Sequence, residues 1–126
     1  MCRKQIQIKS SDVLNDQRIV ENALLTAAEK FRLLDNTVTS RVPNTIRSFV
    51  EKDSGGIGIG ARIVNDLIIV DFNSLGDPPQ SFHDLYASIF TEMLPSFSGS
   101  IKETTDEESD YIKVYNQGSG SDGLNR

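Results

Sequence analysis

With 126 residues, 18 acidic against 13 basic side chains and a pI near 4.8, the chain can bury one core but lacks the basic surface that phosphate-backbone binding needs. Its single cysteine, Cys2, allows neither an intrachain disulfide nor a thiol-rich metal site, and no apolar run approaches the roughly 20 residues that span a bilayer. The opening MCRKQIQIKSSD has no apolar signal core, so a cytoplasmic location without nucleic-acid or membrane partners is the expectation.

In chain order, QIQIK at 5–9 alternates, placing Ile6 and Ile8 on one face and Gln5, Gln7 and Lys9 on a wet one, as in a short or edge strand. Ser10, Ser11 and Asp12 each offer an N-cap oxygen. Ile19, Val20, Ala23, Leu24, Ala27, Phe31 and Leu34 then follow at helical spacing up to Asp35-Asn36. Residues 43–51 read as a short helix, with Pro43 in its first turn and Val42, Ile46, Phe49 and Val50 on one stripe; a strand over IRSFV is the alternative.

Asp53-Ser54-Gly55-Gly56 breaks the chain. In the segment that follows, Ile57, Ile59, Ala61 and Ile63 fall on one strand face, and Gly58, Gly60, Arg62 and Val64 on the other. Asn65-Asp66 tolerates positive φ at both positions of a two-residue hairpin turn. The near-continuous LIIVDF then reads as a central strand, covered on both sides or paired in a dimer. After a loop with Gly76 and Pro78-Pro79, Ser81 and Asp84 suggest a capping box. Phe82, Leu85, Tyr86, Ile89, Phe90, Met93 and Leu94 form an amphipathic helix that Pro95 is expected to stop. Ile101–Thr105 and Asp110–Tyr115 read as a second hairpin, and QGSGSDGLNR (117–126) has the composition of a flexible tail. The expected architecture is a single α+β domain over 1–116. It holds a mainly antiparallel sheet of about five strands, with two or three helices on one face; a ferredoxin-like arrangement is one candidate.

Ser54–Val64 (SGGIGIGARIV) resembles the second glycine box of sensor-kinase-type ATPases. Glu21-Asn22-Ala23-Leu24 is similar to that family's metal-binding Asn box, and Ser98-Gly99-Ser100-Ile101 to the turn into its last strands. The resemblance implies a nucleotide or phosphate ligand on Gly55, Gly56, Gly58 and Gly60 with Arg62, helped by Asn22. The family needs a helix after its glycines, whereas β-branched residues and a turn pair follow here. The competing reading makes Gly58 and Gly60 a shallow groove into which a helix or an aromatic ring such as Phe90 or Phe97 packs.

The other polar residues point to binding rather than catalysis. Asp66, Asp71 and Asp77 lie near the hairpin ends without a metal-ligand spacing, and Asp71 reads as a turn or cap residue. His83, expected to be exposed, has no nucleophile beside it in sequence. Arg41, Arg47 and Arg62 are candidates to converge on an anion. The dense Asp106, Glu107, Glu108 and Asp110 run suits a solvated turn or a basic partner. No catalytic residue, metal or cofactor is assigned. The leading expectation is a non-enzymatic interaction, adaptor or regulatory protein, dimeric through its apolar strand. A nucleotide or phosphate binder and an acidic inhibitor or immunity-type protein are the alternatives.

Overall fold

The computed structural model describes residues 2–36, 44–52 and 56–106 and shows an α+β architecture. Its elements are β1 (Cys2–Lys9), α1 (Val13–Phe31), β2 (Leu33–Asp35), β3 (Thr45–Glu51), β4 (Ile57–Val64), β5 (Leu67–Ser74), α2 (Gln80–Phe97) and β6 (Ile101–Asp106). One six-stranded sheet runs in the order β2-β3-β4-β5-β1-β6, antiparallel at every pairing. β1, α1, β4, β5, α2 and β6 follow a strand–helix–strand–strand–helix–strand path, and their strands stand as β4-β5-β1-β6. That order is compatible with a ferredoxin-like arrangement extended at one edge by β2 and β3.

Strand alternation decides which side the helices cover. The register sets Ile59 beside Phe72, Ala61 and Ile6 beside Val70, and Ile8 beside Ile68, so all of these side chains share one face. Val20, Ala23, Leu24 and Ala27 of α1 and Phe82, Leu85, Ile89 and Met93 of α2 close the same core over them. Each fully buried Ile, Leu or Phe stabilises the fold by about 1.5–3 kcal/mol relative to an exposed one. Ile69 stands apart from this core yet is only 2% exposed: it belongs to the opposite face, which carries no helix among the described residues. On that face β5 buries Ile69, leaves Leu67 and Asp71 half-buried and exposes Asn73.

Several local expectations are corrected. Residues 45–51 form a strand, not a helix, because β3 pairs with β2 on one side and β4 on the other; a helix there would leave β2 without a ladder and one edge of β4 unpaired. A register shift between Thr45 and Arg47 keeps Ile46 packed against the core despite a spacing that mimics a helical stripe. Helix α1 ends at Arg32, which takes a left-handed conformation (φ 58°) and donates its N–H to the Ala28 and Glu29 carbonyls; Leu34 therefore lies in β2, 49% exposed. Asp12 is the N-cap, accepting from the Asn15 N–H at 3.3 Å.

At α2, Gln80 precedes the expected start and the N-cap Pro79 offers no side-chain cap; Asp84 instead accepts from the Gln80 amide at 3.0 Å, so Ser81 and Asp84 form no capping box. Pro95 sits inside the last turn rather than ending the helix, because burial of Phe97 (5% exposed) holds that turn in place. The hairpin turn forms with two residues, but only Asn65 (φ 57°) adopts positive φ. The second strand expected at 110–115 and the tail at 117–126 lie outside the described residues.

Candidate functional site

On β4, Gly58, Gly60 and Arg62 alternate onto the helix-free face, opposite Ile57, Ile59 and Ala61. Beside them on the same face are Val50 and Ser48 of β3, paired with Gly58 and Gly60, and Asn73 and Asp71 of β5, paired with the same two glycines. Two adjacent strands therefore raise side chains on either side of a bare backbone. The result is a groove of about 220 Å³ with Arg62 at one end. A Cβ on Gly58 would meet only the Phe49 carbonyl oxygen at 3.7 Å; one on Gly60 would press on the Ser48 Cβ at 3.2 Å and the Arg47 carbonyl oxygen at 3.3 Å.

A chain of polar side chains runs from the groove across three strands. Arg62 Nε donates to Asp71 Oδ2 at 2.9 Å, Gln5 Nε2 donates to Asp71 Oδ1 at 3.0 Å, and Gln7 Nε2 donates to Gln5 Oε1 at 2.7 Å. Gln5, Gln7 and Arg62 are 1%, 6% and 9% exposed, so the two glutamines expected on a wet face are buried, while Lys9 of that face stays exposed. Buried polar groups are tolerated when they satisfy one another. Here the Arg62 and Asp71 charges offset each other, and the groove carries no net charge from that pair. Asp71 is a mid-strand partner of Arg62 and Gln5, not a turn or cap. The Ser48 Oγ beside the groove is buried without a hydrogen-bond partner among the described residues.

The remaining candidates are dispersed. Gly56 (φ +81°) lies outside the groove; its carbonyl accepts the Leu75 N–H at 3.0 Å, and a Cβ there would reach the Leu75 Cβ at 3.0 Å, so glycine is required by conformation and space. Gly55, Arg41, Glu107, Glu108 and Asp110 lie outside the described residues. Asp106 ends β6 opposite Arg3. Arg47 is on the helix side, ion-paired with Asp35 and lying 3.5 Å from Glu21, so the sheet separates it from Arg62. Asn22 is exposed on α1, also across the sheet from Gly58 and Gly60, and no helix follows the glycines. Phe90 and Phe97 pack with the helix-side core and cannot enter the groove. Asp66 is exposed in the turn, 3.5 Å from Lys9, and Asp77 is exposed. His83, half-buried rather than exposed, stands edge-on to Phe82 at 5.6 Å. Among the described residues no group of three or more His, Cys, Asp or Glu side chains could hold a metal ion, and no helix is long and apolar enough to cross a membrane.

Tyr86 forms a second polar cluster, on the helix side. Its ring meets Phe72 edge-on at 4.9 Å, Lys4 Nζ lies 4.5 Å from the ring centroid, and its hydroxyl donates to the Glu103 carboxylate. Burial first, then the hydrogen bond to Glu103 and that residue's negative charge, hold the phenol well above its ordinary pKa. The cluster ties α2 to β1 and β6, a positioning role.

Gln5, Gln7 and Ser48 carry no site signal in the sequence. The alternation of QIQIK places both glutamines on one face, but only the register of β5 brings Asp71 beside Gln5. Comparison with protein-family models and with curated proteins finds no match.

Proposed function

We propose that this protein is a cytoplasmic binding module that takes a protein partner on the helix-free sheet face around the Gly58–Gly60 groove. The observation that carries this reading is the groove itself: a concave site between β3 and β5 whose Arg62 and Asp71 are bound to each other. Such a site holds a surface in place without presenting a poised acid, base or nucleophile. The backbones of Gly58 and Gly60 lie in a strand paired on both sides, so their amides serve the ladder rather than a phosphate. On the face of β5 away from the helices Ile69 is buried, Leu67 and Asp71 are half-buried and Asn73 is exposed, so a dimer formed there would seat on a mixed surface rather than on an apolar strip.

The test is capture from native extract with the wild type and with Gly58→Val, which fills the groove. A partner retained by the wild type and lost with Gly58→Val supports the reading; retention by both rejects it. A thermal-shift screen with ATP, GTP and Mg²⁺ addresses the nucleotide alternative, because tight binding raises the melting temperature by mass action. A clear shift that Gly58→Val removes would replace the partner reading with that one.

A further inference from the structure

Building on the groove as a binding site, we propose that it is the socket for a tyrosine side chain of the protein partner. Its dimensions come from the sheet. Alternate residues on a strand stand about 7 Å apart and neighbouring strands about 4.8 Å apart. Bare backbone at Gly58 and Gly60, flanked by the side chains of β3 and β5, therefore leaves a slot about one six-membered ring long and one ring wide. The space above Gly58 is clear, and a volume of about 220 Å³ admits a single ring rather than a helix. A ring lying flat over strand glycines restores the packing that their missing side chains leave undone.

Two features select tyrosine. The Ser48 hydroxyl lacks a hydrogen-bond partner among the described residues, and Ser48 lines the groove, where a phenol O–H can bond to it. The Arg62–Asp71 pair is neutral as a unit, which favours an uncharged ring over a phosphate that would have to compete with Asp71. The chain's core does not supply the ring, because the phenylalanine and tyrosine side chains of the described residues pack with the helix-side core.

The test is an amide NMR titration with p-cresol, the tyrosine side-chain analogue, against toluene and phenyl phosphate. The expected result is saturable shifts at Gly58 and Gly60 with p-cresol and about tenfold weaker binding of toluene, the worth of one hydrogen bond. Ser48→Ala should bring p-cresol down to the level of toluene, and Gly58→Val should abolish both. Four results would overturn the proposal: no p-cresol shift at the two glycines, toluene binding as well as p-cresol, phenyl phosphate binding more tightly, or movement of the two amides when Tyr111 and Tyr115 of this chain are replaced by Ala. The last would mean that the chain fills its own groove. A partner still lost with Gly58→Val while p-cresol fails to bind would reject the tyrosine and leave the binding module standing; a partner retained by Gly58→Val would reject the module.

Discussion

Removing the Asp71 carboxylate tests how the helix-free face is held together. Arg62 and Asp71 side chains are 11% and 19% exposed, so both charges sit mostly out of water. Breaking a buried pair from one side costs about 3–5 kcal/mol, and this residual exposure places the cost near the lower end. Asp71→Leu also deprives the Gln5 amide of its acceptor, which adds about 1 kcal/mol. The expected loss is therefore about 3–4 kcal/mol. For a chain of this size that lowers the melting temperature by roughly 10–15 °C. Arg62→Met alone should cost about 2–3 kcal/mol, because Gln5 still bonds the carboxylate. The double variant Arg62→Met/Asp71→Leu removes both charges together and should return to within about 1–2 kcal/mol of the wild type, a coupling of about 4–5 kcal/mol. Urea unfolding followed by circular dichroism measures all four corners of the cycle. Single-variant losses below about 1 kcal/mol with no coupling would show a solvent-screened surface pair and refute the reasoning.

Three other outcomes follow from named contacts. Gly58→Val should leave stability unchanged or raise it by about 0.5–1 kcal/mol, since its Cβ meets no close atom, whereas Gly60→Val should lose about 1–3 kcal/mol against the Arg47 backbone; equal losses in urea would contradict the geometry. Ile69 pairs with Arg62, so Ile69→Lys should unfold the domain more readily than Ile69→Asp, which places a carboxylate beside the guanidinium; the reverse order in thermal melts would argue against that neighbour. Folding raises the Tyr86 pKa above its usual value near 10, so its stabilising effect is fully present below pH 10 and is lost as pH rises further, when the unfolded phenol ionises and the folded one does not. The stability difference between wild type and Tyr86→Phe should thus be flat up to pH 10 and shrink above it; a difference independent of alkaline pH would dismiss the effect.

Residues 57–72 and 82–93 are the most legible of the described parts of the chain, and for the same reason. Ile57, Ile59 and Ala61 alternate cleanly, and Phe82, Leu85, Tyr86 and Ile89 repeat at helical spacing, so local pattern and tertiary burial agree. β3 was not legible, because Ile46, Phe49 and Val50 satisfy a helical stripe and only the presence of β2 and β4 on either side settles the choice. The glycine groove was legible as a groove but assigned the wrong filling: Phe90 and Phe97 suit it chemically, yet α2 lies across the sheet. The polar chain was hidden for a related reason. Gln5 and Gln7 have the appearance of solvent-facing residues until Asp71, 66 positions from Gln5, is brought beside it.

The placement of β1 between β5 and β6 bears on how the chain folds. The β2–β5 meander joins strands that follow one another, so its hairpins close over short loops as soon as they are made. β1 is synthesised before any of them and finds its first partner only when residues 67–74 appear, and its second when residues 101–106 do. Until then Ile6 and Ile8, both wholly buried in the finished fold, have no native place. Loop-closure entropy makes such distant pairings slow. Capture of β1 is therefore the step expected to limit folding, and the moment at which the chain is most open to aggregation or to chaperones.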